Sequence, residues 1–85
     1  MPVIFRFGPY RFWFWANENV DVGEPPHVHV RSADGWAVFW LDPVRLRTAR
    51  GYTAGDIDRI RRIVVARRNE FRRRWFEFFG RPPTR

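Results

Sequence analysis

Asp34-Gly35 sits between two runs of alternating β-formers, and no other feature constrains the fold of this chain as strongly. An Asp-Gly pair so flanked is among the best short-range signals of a β-hairpin. His27-Val28-His29-Val30-Arg31 leads into it and Trp36 to Leu41 leads away. Successive side chains of a strand point to opposite faces, so His27, His29 and Arg31 share one face while Val28 and Val30 turn into a core. A two-residue Asp34-Gly35 loop sets Ala33 opposite Trp36 and, counting outward, His29 opposite Trp40 and His27 opposite Asp42. This register predicts an Asp42/His27 pair beside a His29/Trp40 stack, with His27 titrating above His29 because a carboxylate favours the imidazolium.

The flanking segments extend the same pattern. Val3 to Phe7, the Gly8-Pro9 turn and Tyr10 to Trp15 read as a first hairpin, with Tyr10, Phe12 and Phe14 on one face and Arg11, Trp13 and Trp15 on the other. Asn17 to Pro26 reads as a loop holding Glu18, Asp21 and Glu24, and Val44 to Thr48 alternates like a short fifth strand. Thr53 and Asp56 resemble a capping box, and Ile57, Ile60, Val64, Phe71, Trp75 and Phe78 recur at helical spacing. Gly80 and Pro82-Pro83 supply a stop, which predicts one helix over residues 54–79, about 39 Å long at 1.5 Å per residue. The expected fold is α+β, an antiparallel sheet of four to five strands with one long C-terminal helix packed on it. Residues 1–80 make one domain and 81–85 a frayed tail. One helix covers one sheet face, so Trp13 and Trp15 on the other predict a homodimer or a cognate partner protein.

Composition excludes several function classes. The chain has no cysteine, so it has no disulfide framework and no thiolate chemistry, which fits a reducing cytoplasm. Its longest apolar run, Trp36 to Leu41, falls far short of the roughly 20 residues that span a bilayer, and the start lacks a signal peptide's apolar segment. A cytoplasmic protein without membrane contact is expected. Residues 1–43 carry three Arg and five acids, net −2, whereas residues 44–85 carry thirteen Arg and four acids, net +9. Every cation is Arg, a residue that forks onto phosphate; Arg use in a GC-rich genome accounts for this as well as selection for nucleic-acid contact does. On the helix, Arg59, Arg62 and Arg73 fall on the outward face and are the expected contacts to RNA, DNA or a partner. Asp58 to Arg62, Glu70 to Arg74 and Arg73 to Glu77 are equally the i,i+4 pairs of an ordinary solvated helix. Arg67, Arg68, Arg61, Arg72 and Arg74 flank the apolar stripe, where their stems can lie over rings.

Pro2 to Gly8, Tyr10-Arg11-Phe12, Glu24-Pro25-Pro26-His27-Val28-His29-Val30, Phe39-Trp40-Leu41-Asp42-Pro43 and Trp75-Phe76-Glu77-Phe78-Phe79-Gly80 together resemble the bacterial family called domain of unknown function 4160. The resemblance spans nearly the whole chain, and Pro-Pro-His-x-His is its most specific part. Asn17 to Gly23 is longer than the family's usual link before Glu24. The resemblance implies a small bacterial protein often encoded beside another, which suggests a toxin-antitoxin or similar two-gene module. It implies no established reaction.

Three readings of the histidine face stay open. In the first, His27 and His29 are hydrogen-bonded sheet residues. In the second, two imidazoles at i and i+2 hold a metal with Glu24, Asp42 or another loop acid, although no fixed metal-site spacing is present and no cofactor is expected. In the third, one His removes a proton from a ribose hydroxyl, the other protonates the leaving oxygen and Arg31 stabilises the phosphorane, with Asp42 orienting His27. That is the residue set of a metal-independent endoribonuclease. The expected function is a component of a toxin-antitoxin-type module that binds RNA or a partner protein, with a non-catalytic interaction module as the alternative; whether it is an enzyme stays open.

Overall fold

A computed structural model describes residues 3–14 and 25–79. Five strands, β1 (Val3–Phe7), β2 (Tyr10–Trp13), β3 (His27–Ser32), β4 (Gly35–Leu41) and β5 (Val44–Arg50), precede helices α1 (Ala54–Ala66) and α2 (Arg68–Phe79). The strands form one antiparallel sheet in the order β1-β2-β3-β4-β5, each joined to its sequence neighbour. Both helices lie on one face, as the aromatic periodicity requires. Tyr10, Phe12 and Phe14 from β2 and the residue after it, Val28 and Val30 from β3, and Ala37, Phe39 and Leu41 from β4 meet Ile60, Ile63, Val64, Phe71, Trp75 and Phe76 from the helices. Rings dominate this layer. Phe12 lies 5.5 Å from Phe71 and Phe14 lies 5.3 Å from Trp75, and each fully buried ring contributes roughly 2 to 3 kcal/mol.

The expected single helix is two helices, broken at Arg67. Arg67 has φ −108° and ψ 11°, outside helical values, although its N–H still donates to the Ile63 carbonyl at 3.0 Å. A straight helix over residues 54–79 would be about 39 Å long, whereas the greatest extent of the molecule is 34 Å. The break lets both halves follow the sheet. Two arginines hold it: the Arg67 guanidinium lies 4.7 Å from the Phe5 ring centroid, and Arg68 donates through Nε to the Leu41 carbonyl at 3.0 Å. Arg61, 6.0 Å from the Phe39 centroid, also lies over a ring as the stripe's flank predicted. The N-terminal capping box forms as expected: Asp56 N–H donates to Thr53 Oγ1 at 3.1 Å and Thr53 N–H to Asp56 Oδ2 at 3.0 Å.

The central hairpin also needs a correction. Its turn is Ala33-Asp34, not Asp34-Gly35, so Ser32 pairs with Gly35, Arg31 with Trp36, His29 with Val38 and His27 with Trp40. No turn residue there takes a positive φ. Gly35 is needed for closeness, since a Cβ on it would overlap the Arg50 carbonyl oxygen, and one on Gly51 would overlap the Asp34 carbonyl oxygen. Glycine therefore marks a close approach of two backbones where β4 begins and β5 ends. The register moves by two residues, which preserves every face.

Candidate nucleic-acid interface

On the sheet face away from the helices, strand pairing lines up arginines. Arg6 is opposite Arg11, Arg11 opposite Arg31, Arg31 opposite Trp36, and Trp36 opposite Arg50, so one row crosses all five strands. Adjacent strands are about 4.8 Å apart. The four arginines of the row are exposed and Trp36 is half-buried between two of them. No Asp or Glu occurs in any of the five strands. Among the described residues, Arg6, Arg11, Arg31, Arg45 and Arg50 have no carboxylate partner.

Aromatic rings border this row. Trp13 stacks on His29 across β2 and β3 at 5.7 Å, the planes inclined by 21°. Trp40 carries the Arg47 guanidinium 5.1 Å from its centroid. That approach follows from a bulge: Val38 pairs with Thr48 but Phe39 pairs with Leu46, leaving Arg47 as the extra residue and turning its side chain across the sheet. Two adjoining depressions lie on this face. One of about 310 Å³ is lined by Trp13, His29, Arg31 and Trp36 among others. The second, about 280 Å³, is lined by Val3, Arg6, Arg11, Trp13 and Arg31.

The residues singled out from sequence are dispersed differently from expectation. His27 and His29 do come together, ring centroids 5.5 Å apart. His27, however, is fully buried between Trp40 at 5.5 Å and Trp75 at 4.9 Å, with Nδ1 2.9 Å from the Pro25 carbonyl oxygen. His29 is half-buried and stacks on Trp13 instead of Trp40. Asp42 does not face His27, because the two-residue shift puts Trp40 there; it accepts from Arg68 at 2.7 Å and lies 3.6 Å from Arg72. The hydrogen bond from Arg68, with the charge of Arg72, holds the Asp42 carboxyl below its ordinary value of 3.8. Glu24 lies outside the described residues, among which no cluster of three His, Cys, Asp or Glu side chains suits a metal ion.

Each outward helix arginine has a carboxylate partner on its own helix, Arg62 sharing Asp58 with Arg61. Arg59 pairs with Asp56 at 3.3 Å, Arg62 with Asp58, and Arg73 with Glu77 at 3.8 Å. Glu70 pairs with Arg67 at 3.7 Å instead of with Arg74, which is the one helix arginine outside such pairs among the described residues. The sheet differs in kind, since five of its arginines have no carboxylate partner among the described residues. Trp13, expected to need a partner for burial, is 8% exposed within the single chain, and Trp15 lies outside the described residues. Arg6, Arg11 and Trp36 were not singled out from sequence, though a signal existed: a two-residue Gly8-Pro9 turn pairs Phe7 with Tyr10 and hence Arg6 with Arg11.

Among the described residues no helix is long and apolar enough to cross a membrane. No curated protein and no solved structure matches the chain. Residues 10–76, running from the start of β2 well into α2, match the family model described as Domain of unknown function (DUF4160), and the chain belongs to that family.

Proposed function

We propose that this chain binds single-stranded RNA on the helix-free sheet face, as a component of a toxin-antitoxin-type two-gene module. The module is what the family resemblance implied; the RNA-binding reading is supported by one observation, an exposed arginine row without carboxylates beside stacked aromatic rings. Sheets that bind single strands combine cationic tracking of the backbone with rings on which bases stack. Duplex readers instead commonly insert a helix into a major groove, and here the outward arginines Arg59, Arg62 and Arg73 each face a carboxylate of their own helix. Binding is favoured over cleavage because His27 is fully buried, so the pair His27 and His29 offers only one half-exposed imidazole beside Arg31.

Fluorescence anisotropy with a labelled 12-nucleotide RNA at several salt concentrations tests this. Binding weakens with salt, and Arg11→Gln or Arg31→Gln lowers the slope of log affinity against log salt by about 0.7 for each phosphate that is no longer neutralised. Trp36→Ala weakens binding with the slope retained. The triple change of Arg59, Arg62 and Arg73 to Gln leaves both unchanged; if it alone removes binding, the interface is the helix. Absence of binding at low salt overturns the reading, and cleavage of the RNA during the titration restores the nuclease version.

A second reading, an interaction module, is favoured by Phe7. It is 51% exposed and lines a depression with Arg62, Ile63, Ala66 and Arg67 on the helix side. An acidic partner protein fits that apolar floor with a cationic rim. Phe7→Ser would weaken binding of the neighbouring gene's product and leave RNA affinity unchanged.

A further inference from the structure

The row Arg6, Arg11 and Arg31 has a cost that the sheet does not relieve. Like charges directly opposite each other on neighbouring strands destabilise the pairing, and Arg11 has one on each side. All three line one depression with Val3 and Trp13, and none has a carboxylate partner among the described residues. Three arginines lining one recess suit an anion with several oxygens and more than one charge. An internal phosphodiester offers two non-bridging oxygens and a single charge. A phosphomonoester offers three strong acceptor oxygens and roughly −1.5 to −2 at neutral pH.

The surroundings say what carries that phosphate. Trp13 and Arg31 line both this recess and the neighbouring one, whose other walls include His29 and Trp36. A phosphate held by Arg6, Arg11 and Arg31 therefore leaves its attached nucleoside beside half-buried Trp36, where a base can lie on the ring. The recess is also at the end of the sheet, since Arg6 belongs to the edge strand β1. Beyond β1 there is no further strand, among the described residues, for a bound chain to cross.

Resting on the RNA-binding reading and deepening it, we infer that the Arg6/Arg11/Arg31 recess recognises the terminal phosphate of a nucleic-acid strand, with the terminal base on Trp36. The shared chemistry is a phosphomonoester next to a base, whether at a 5′ or a 3′ end.

One 12-nucleotide RNA prepared with a 5′-phosphate, a 3′-phosphate or hydroxyls at both ends separates the possibilities, measured by anisotropy at one salt concentration. One phosphorylated form binds at least about tenfold tighter than the hydroxyl form, and Arg11→Gln and Arg6→Gln each erase that preference, with folding checked by thermal melting. Trp36→Ala weakens all three forms by a similar factor. Equal binding of the three forms overturns the inference and leaves RNA binding standing. If no oligonucleotide binds but inorganic phosphate quenches tryptophan fluorescence in an Arg11-dependent way, both readings fail and the recess is a free-phosphate site.

Discussion

Replacing Arg11 by Gln should make this protein more stable and less able to bind. Arg11 stands between Arg6 and Arg31 at strand spacing, so the substitution removes two like-charge repulsions and no ion pair with a described residue. Two unit charges about 6 Å apart in water repel by roughly 0.7 kcal/mol, and at physiological ionic strength, where the Debye length is about 8 Å, by roughly half that. Two such repulsions then give about 0.6 to 0.8 kcal/mol, within the range known for directly opposed cross-strand charges. In a domain of this size 1 kcal/mol shifts the melting temperature by about 4–8 °C, so Arg11→Gln should melt about 3–6 °C higher. Circular dichroism melts in low and high salt check the origin of the gain. Repulsion makes it largest at low salt and nearly abolishes it at about 1 M, where the Debye length is roughly 3 Å. A saturating RNA should reverse the order of stability, since a ligand at about 100 times its Kd stabilises the parent by roughly 2.7 kcal/mol. A variant that melts lower than the parent at every salt, or a gain that ignores salt, would refute the reasoning.

Three further outcomes follow from the packing. His27→Ala should lower stability to urea by roughly 2–4 kcal/mol, because it empties a fully buried site between Trp40 and Trp75, whereas half-buried His29→Ala should cost less than about 1 kcal/mol and weaken RNA binding. Gly35→Ala should lose more than about 3 kcal/mol or fail to fold, since its Cβ meets backbone that cannot step aside, and expression with a circular dichroism spectrum decides it. Asp42→Asn should melt lower than the parent at pH 7: a carboxyl held below 3.8 by Arg68 and Arg72 gives stability that is present above that value and is lost as pH falls through the lower folded value, so the difference should close in acid.

Face assignments were legible in the sequence, and register was not. Alternation alone put Val28, Val30 and Phe12 in the core and Arg31, His29 and Trp13 on the other side, because a strand's period is fixed by backbone geometry. The hairpin turn was misplaced because Gly35 looks the same in a sequence whether it is needed for a positive φ or for the approach of Arg50 and Gly51. A slip of two residues leaves the alternation intact while changing every partner, which is why His27 stayed in step with His29 and Arg31 and lost Asp42. The break at Arg67 had no Gly or Pro to announce it. Its determinants, the Phe5 ring under Arg67 and the Leu41 and Asp42 oxygens that take Arg68, lie far away in the chain. Burial of His27 by Trp75 is illegible for the same reason.

Charge was the harder quantity to place. Counting along the chain put the positive excess in the C-terminal half, and that half does contain most of the arginines. Yet α1 and α2 also contain Asp56, Asp58, Glu70 and Glu77 at helical spacing from their arginines, and Asp42 reaches in from the β4–β5 turn, so Arg59, Arg61, Arg62, Arg68, Arg72 and Arg73 are paired, as is Arg67 at the break. Helical i,i+3 and i,i+4 geometry brings such residues together automatically. A strand has no equivalent within itself, since neighbours on one face are about 6.8 Å apart and a partner must come from the next strand. With no acid in any strand, the arginines of the sheet cannot be neutralised by that route. The half of the chain with fewer arginines thus presents three adjacent ones without a carboxylate partner among the described residues, and an anion bound from outside is what would relieve their mutual repulsion.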